Sequence, residues 1–286
     1  MIDLQPEQIL ISTSGPNRHP FLLEMKYLFK SLNLYGGKLA DAQKIACFSE
    51  PVDSKTTNEL EKLGVKIKIV NEIDKRCPHA TKIENLALYQ DEKFEFLISL
   101  DTDIVITKYF SEFINQTKLG AKPVDQDPLS LEDWKTLFEF FGLQVPTERY
   151  VTHFTKKETI PYFNSGVLLI PKKFLKTLYE TWKEYVLRLL SSYEDLPKIK
   201  KHSFFTDQFA LSLALKDAGI PHNALPLEMN FPTHFDVHND FNPQKMNPYL
   251  LHYHHLTPSN TIAHCSYENI NKIIDRLNND LRNLKN

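Results

Sequence analysis

Hydrophobic and polar positions switch between two periods over the first hundred residues. Gln8–Thr13 is a short apolar run with strand character. Pro16–Leu34 carries Phe21, Met25, Leu28, Phe29 and Leu32 at helical spacing, up to a stop at Gly36-Gly37. A second strand follows at Ala42–Phe48, then a short helix at Thr56–Leu63 closed by Gly64, and Val65–Val70 alternates apolar and polar as a strand does. Thr81–Tyr89 returns to the helical period, and Phe94–Leu100 is mostly apolar and runs into Asp101. Strands alternating with helices in this order predict an α/β chain with a mostly parallel central sheet covered by helices on both faces.

The remainder is less regular. Between Asp103 and Asn164 the pattern is broken by Pro123, Pro128 and Pro146, around a helix at Leu131–Phe141 that Ser130 and Asp133 open as a weak capping box. Phe163–Ile170 reads as a buried strand stopped by Pro171. Phe174–Leu190 and Phe205–Ala218 read as helices, the second closed by Gly219. Pro221–Pro258, rich in Pro, Asn and His, predicts loops lining a site, and Ile270–Leu284 a charged C-terminal helix. No internal repeat interrupts the chain, so 1–286 is expected to be one domain.

Composition narrows the function. The 34 basic and 36 acidic residues leave a net charge of -2, without the basic excess of a nucleic-acid binder. Only 8 of 286 residues are glycine, under half the usual share of about 7%, and neither G-x-G-x-x-G nor a P-loop occurs, so any phosphate site must be built without a glycine cradle. Cys47, Cys77 and Cys265 are widely spaced and read as small buried residues of a reducing compartment. With no basic n-region before Ile9-Leu10-Ile11 and no apolar run near 20 residues, the expectation is a cytoplasmic protein without a transmembrane segment.

The chemistry concentrates at Asp101-Thr102-Asp103. Two carboxylates two residues apart at the carboxyl end of a strand share one face, at the crevice where open parallel sheets bind ligands, and a divalent cation would neutralise them. The alternative is a strand end turning into solvent. Asn164 and Ser165 stand at the start of a buried strand. Thr206, as N-cap, with Asp207 and Gln208 opens a helix, where Asp207 could equally serve only the cap. In Leu250–Pro258, His252, His254 and His255 form a candidate metal or phosphate site.

The order of these segments resembles the GT-A glycosyltransferases, in the retaining branch of glycogenin and the bacterial lipopolysaccharide galactosyltransferases. That branch runs from a first βα unit through a basic helical residue, D-x-D, F-N-[SA]-G-V and D-Q to a histidine loop. Here Lys82, Asp101-Thr102-Asp103, Phe163-Asn164-Ser165-Gly166-Val167, Asp207-Gln208 and His252-Tyr253 follow in that order. The resemblance implies a Rossmann-like GT-A fold, with a nucleotide-binding half at 1–107, a sugar and acceptor half at 108–265 and a closing helix at 266–286. It implies Mn²⁺ or Mg²⁺ held by Asp101, Asp103 and His252. Ser12, Thr13, Ser14, Lys82, Thr102 and Ser165 would meet a nucleotide-diphosphate sugar, such as a UDP-sugar. Asn164, Asp207 and Gln208 would act at the transferred hexose, and the acceptor is an unspecified carbohydrate, lipid-linked or protein group. Lys82 could also be one exposed helix lysine among many. The family's G-x-x-K-P-W after the histidine is absent, and His254 or His255 would substitute for its lysine. A sugar-phosphate nucleotidyltransferase, which ordinarily needs a glycine-rich first loop, and an inactive sugar- or nucleotide-binding module are the competing readings.

Overall fold

The computed structural model describes residues 4–235 and 245–283. The chain forms β1 (Ile9–Ser14), α1 (Phe21–Tyr35), β2 (Gln43–Phe48), α2 (Ser54–Glu61) and β3 (Val65–Ile69), close to where the hydrophobic pattern places them. The helix expected at Thr81–Tyr89 is instead a 3₁₀ helix over Pro78–Gln90. Its fully buried Ala80, Ile83 and Leu86 recur every third residue, the spacing that lines up on a helix of three residues per turn.

Next come β4 (Phe96–Leu100), β5 (Ile104–Ile106), β6 (Leu119–Pro123) and α3 (Leu131–Phe140), the last with both hydrogen bonds of the Ser130–Asp133 capping box in place. After the small hairpin β7 (Tyr150–Val151) and β8 (Glu158–Thr159), β9 (Phe163–Pro171) leads into α4 (Lys172–Ser192), α5 (Pro197–Lys200) and α6 (Thr206–Asp217). Thr206 is the first helical residue, not the cap; its hydroxyl donates to Ser203 O at 2.6 Å, and Phe205 holds the cap position. The chain closes with β10 (His222–Ala224), β11 (Phe231–Pro232), β12 (Leu250–His252) and α7 (Glu268–Asn283). Of the regions expected from sequence, 236–244 of the Pro, Asn and His stretch and Leu284 of the last helix lie outside the described residues.

The central sheet has seven strands in the order β10-β6-β9-β4-β1-β2-β3. All neighbours are parallel except β9, which runs antiparallel between β4 and β6. The chain leaves β1 toward β2 and β3, then returns to place β4 on the other side of β1, so the strand order reverses between β1 and β4. Ligands of open α/β sheets bind beyond the carboxyl ends of the strands at such a reversal.

Both faces are covered. Leu10, Ile45, Leu97 and Leu168 pack against the 3₁₀ helix, α3, α4 and α6, while Ile11, Phe48, Ile98 and Val167 pack against Met25, Leu28 and Leu32 of α1. A third core joins the small sheet β11-β12-β5 to α7, whose Ile270, Ile274, Leu277 and Leu281 lie along one buried stripe. At about 1.5–3 kcal/mol for each buried side chain, that stripe anchors the C-terminal helix. No helix among the described residues is long and apolar enough to cross a membrane.

Candidate active site

β4 stops at Leu100, and Asp101-Thr102-Asp103 is a turn into β5. The carboxylates are therefore set by a pinned loop, where sequence periodicity suggested one face of a strand. Asp101 N–H donates to Gly166 O at 2.8 Å, Ile104 N–H to Asp101 O at 3.3 Å, and Tyr253 N–H to Asp103 O at 3.1 Å. Thr102 is buried, and its hydroxyl donates to Glu24 Oε2 of α1 at 2.6 Å.

The two acids face different partners. Asp101 Oδ1 lies 2.6 Å from Lys82 Nζ, which also reaches Ser165 Oγ at 3.2 Å and Asp207 Oδ2 at 3.8 Å. Ser165 Oγ donates to Asp207 Oδ2 at 2.7 Å. Lys82 is thus no ordinary surface lysine: its side chain is 12% exposed and wedged between two carboxylates. Burial alone would lower its pKa, but Asp101 and Asp207 outweigh it and hold the ammonium above the usual lysine value.

Asp103 meets imidazoles. Its Oδ1 lies 3.1 Å from His252 Nε2 and its Oδ2 3.4 Å from His254 Nδ1, and the two rings stack at 3.7 Å between centroids. Burial pushes the Asp103 carboxyl up, yet the facing imidazoles more than reverse this and hold it well below the ordinary value. Burial, reinforced by His252, lowers His254. His252 is oriented from behind by Asn230, whose Oδ1 is 3.0 Å from His252 Nδ1 and whose Nδ2 donates to Asn164 Oδ1 at 2.9 Å. Fixing one ring nitrogen this way leaves the other to serve as a ligand.

Gly166 lets these groups converge. A Cβ there would lie 2.9 Å from Asn164 Oδ1, 2.9 Å from His252 Cε1 and 3.0 Å from Asp101 Oδ2, so the glycine is required for close approach. Asn164 Oδ1 also accepts the Gly166 N–H at 2.8 Å.

Of the residues expected from sequence, Lys82, Asp101, Thr102, Asp103, Asn164, Ser165, Asp207, His252 and His254 come together. Ser12 and Thr13 are fully buried, with hydroxyls that have no partner among the described residues, and only Ser14 of that trio has exposed surface. Asp207 is 2% exposed beneath Ser165 and Lys82, which leaves half-buried Gln208 as the more accessible of the pair. His255 is exposed, apart from the Asp103 cluster. Sequence reasoning missed Asn230, Glu24 and His234, whose ring stands edge-on to His254 at 4.1 Å between centroids. Glu24 left a trace, a carboxylate between Phe21 and Leu28 on the apolar stripe of α1.

Residues 28–219, about two thirds of the chain, match the family model of the Rhodobacterales glycosyltransferase domain. The chain belongs to that family. This glycosyltransferase has the GT-A fold, as the resemblance in its motifs implied. Its structure is similar to that of the galactosyltransferase LgtC in complex with donor and acceptor sugar analogs, at 16% identity and a TM-score of 0.62, over 97% of this chain and 96% of LgtC. The glycosyltransferase GlyE of Streptococcus pneumoniae TIGR4 aligns at 15% identity and a TM-score of 0.56, over 96% of this chain and 63% of GlyE. The bifunctional glycosyltransferase WbbM aligns at 13% identity and 0.53, over 96% and 50%. No curated protein matches the sequence.

Proposed function

We propose that this glycosyltransferase moves a hexose from a nucleotide-diphosphate sugar, specifically a UDP-sugar, to a carbohydrate, lipid-linked or protein acceptor, with retention and with Mn²⁺ or Mg²⁺ at the donor diphosphate. The observation that carries this reading is the meeting, beyond β1 and β4, of an acidic turn with His252 on one side and Lys82 on the other. The motif order shared with the retaining branch supports the donor class and the retention, and LgtC, whose fold is similar, is a galactosyltransferase that holds donor and acceptor sugar analogs.

The residues present suit a divalent cation. Asp103 and His252 offer a carboxylate and an oriented imidazole within ligand distance of one another, whereas Asp101 is paired to Lys82 and would join the ion only by turning its Oδ2 toward it. When bound, the ion neutralises the diphosphate and stabilises charge on the departing nucleotide. The rest belongs to the chain. Ser14 is the residue of the first strand that meets the donor. Lys82, held by Asp207 and Asp101, brings a fixed positive charge to the phosphate side. Ser165, Asn164 and Gln208 border the sugar, where an amide oxygen stabilises the oxocarbenium-like state. Buried Asp207 keeps Lys82 and Ser165 in place.

The test is a panel of UDP-sugars incubated with the full chain, Mn²⁺ and candidate acceptors. Released UDP together with a product of unchanged anomeric configuration by NMR is the expected result. Pyrophosphate release from a nucleoside triphosphate and a sugar phosphate would establish the nucleotidyltransferase instead. Nucleotide binding with no turnover on any acceptor or on water would establish the inactive module.

A further inference from the structure

The motif resemblance put His254 or His255 in place of the family's missing lysine. In the structure His254 sits against Asp103 and His252. Its backbone is left-handed, with φ 55°, a conformation that costs a non-glycine residue about 1 kcal/mol or more and persists where surrounding contacts impose it. That conformation lays its ring on His252 and aims Nδ1 at the Asp103 oxygen that His252 does not take. One donor atom from each of Asp103, His252 and His254 lies within 4.8 Å of the others. Adjacent ligands at about 2.1 Å from a shared ion stand about 3.0–3.4 Å apart, so the three donor atoms need to draw together by less than about 2 Å to share one.

We propose that His254 is a metal ligand, giving the cation of this glycosyltransferase two imidazoles beside its carboxylates, and that this second nitrogen tunes the site toward late first-row dications such as Co²⁺ over Mg²⁺. The inference rests on the glycosyltransferase reading of the site. Carboxylates and water alone suit Mg²⁺ and Mn²⁺, whereas imidazole favours Co²⁺, Ni²⁺ and Zn²⁺. His234, edge-on to His254, packs the ring in place from the outer side.

The test titrates the metal-free full chain with Co²⁺, read by its visible absorption, and with Mg²⁺ in competition. The proteins are wild type, His254→Gly, His255→Ala and Asp103→Ala. Glycine suits the left-handed backbone, so His254→Gly removes the imidazole without straining the fold. Wild type should bind Co²⁺ at least about tenfold more tightly than Mg²⁺. His254→Gly should lose about tenfold or more in Co²⁺ affinity, with a changed absorption spectrum and a much smaller change for Mg²⁺. His255→Ala should match wild type. If His254→Gly keeps wild-type affinity and spectrum while Asp103→Ala loses the metal, this inference falls and the metal site of the proposed function stands. If wild type binds no dication, both fall.

Discussion

Glu24 offers the sharpest quantitative test. The residue is 5% exposed, and burial raises its carboxyl pKa from 4.5 to about 7, with the Thr102 hydrogen bond opposing and Asp103 and Asp101 adding to the rise. A raised carboxyl pKa means that the native state prefers the neutral form. Below about pH 4.5 Glu24 is neutral whether folded or unfolded, and it makes no pH-dependent difference. From there to about pH 7 the unfolded chain ionises first, and stability falls by about 1.4 kcal/mol per pH unit. Above about pH 7 both states are charged and the loss is complete, at about 3 kcal/mol. Glu24→Gln keeps the size and the acceptor for Thr102 and removes the charge. Urea unfolding of the metal-free protein should show the variant equal to wild type near pH 4.5 and about 3 kcal/mol more stable near pH 8. A bound cation should shrink that gap, because it neutralises the Asp101 and Asp103 field that helps keep Glu24 uncharged. A pH-independent difference, or a variant weaker than wild type near pH 8, would refute the reasoning.

Other residues carry separate outcomes. Lys82→Met leaves Asp101 and Asp207 without their shared counter-ion; it should cost about 3 kcal/mol by urea unfolding and at least about a hundredfold in turnover. Gly166→Ala thrusts a methyl among Asn164, His252 and Asp101, and should abolish metal-dependent nucleotide binding at a stability cost of about 1–3 kcal/mol. Asn230→Ala frees His252 from its fixed tautomer and should weaken metal affinity about 10–100-fold by calorimetry, with the fold intact by circular dichroism.

What the sequence made legible follows from range. Strands β1 to β4 and helices α1, α3, α4 and α6 announce themselves through local periodicity and punctuation, and so does the alternation that makes the sheet mostly parallel. The antiparallel course of β9 is a matter of pairing partners, which no local pattern encodes. The 3₁₀ helix was hidden because Ala80, Ile83 and Leu86 also fit an α-helical reading until the period of three is weighed by itself. Asp101 and Asp103 were found by their spacing, although the turn that presents them depends on hydrogen bonds from Gly166 and Tyr253. Asn230 acts on His252 across 22 residues and on Asn164 across 66; the Pro, Asn and His stretch marked its region as site-lining, but nothing local singles out Asn230 itself. Ser12 and Thr13 were assigned to the donor by their place at the end of a strand, and periodicity alone does not show that both are fully buried.

The most direct test of the account is calorimetric titration of UDP and GDP into the full chain, with and without Mn²⁺, on wild type and Asp103→Ala. The account predicts that UDP binds wild type only when Mn²⁺ is present, and that Asp103→Ala, folded as wild type, binds neither the metal nor the nucleotide. Absence of nucleotide binding under every condition, or UDP binding that ignores both Mn²⁺ and the loss of Asp103, would contradict it.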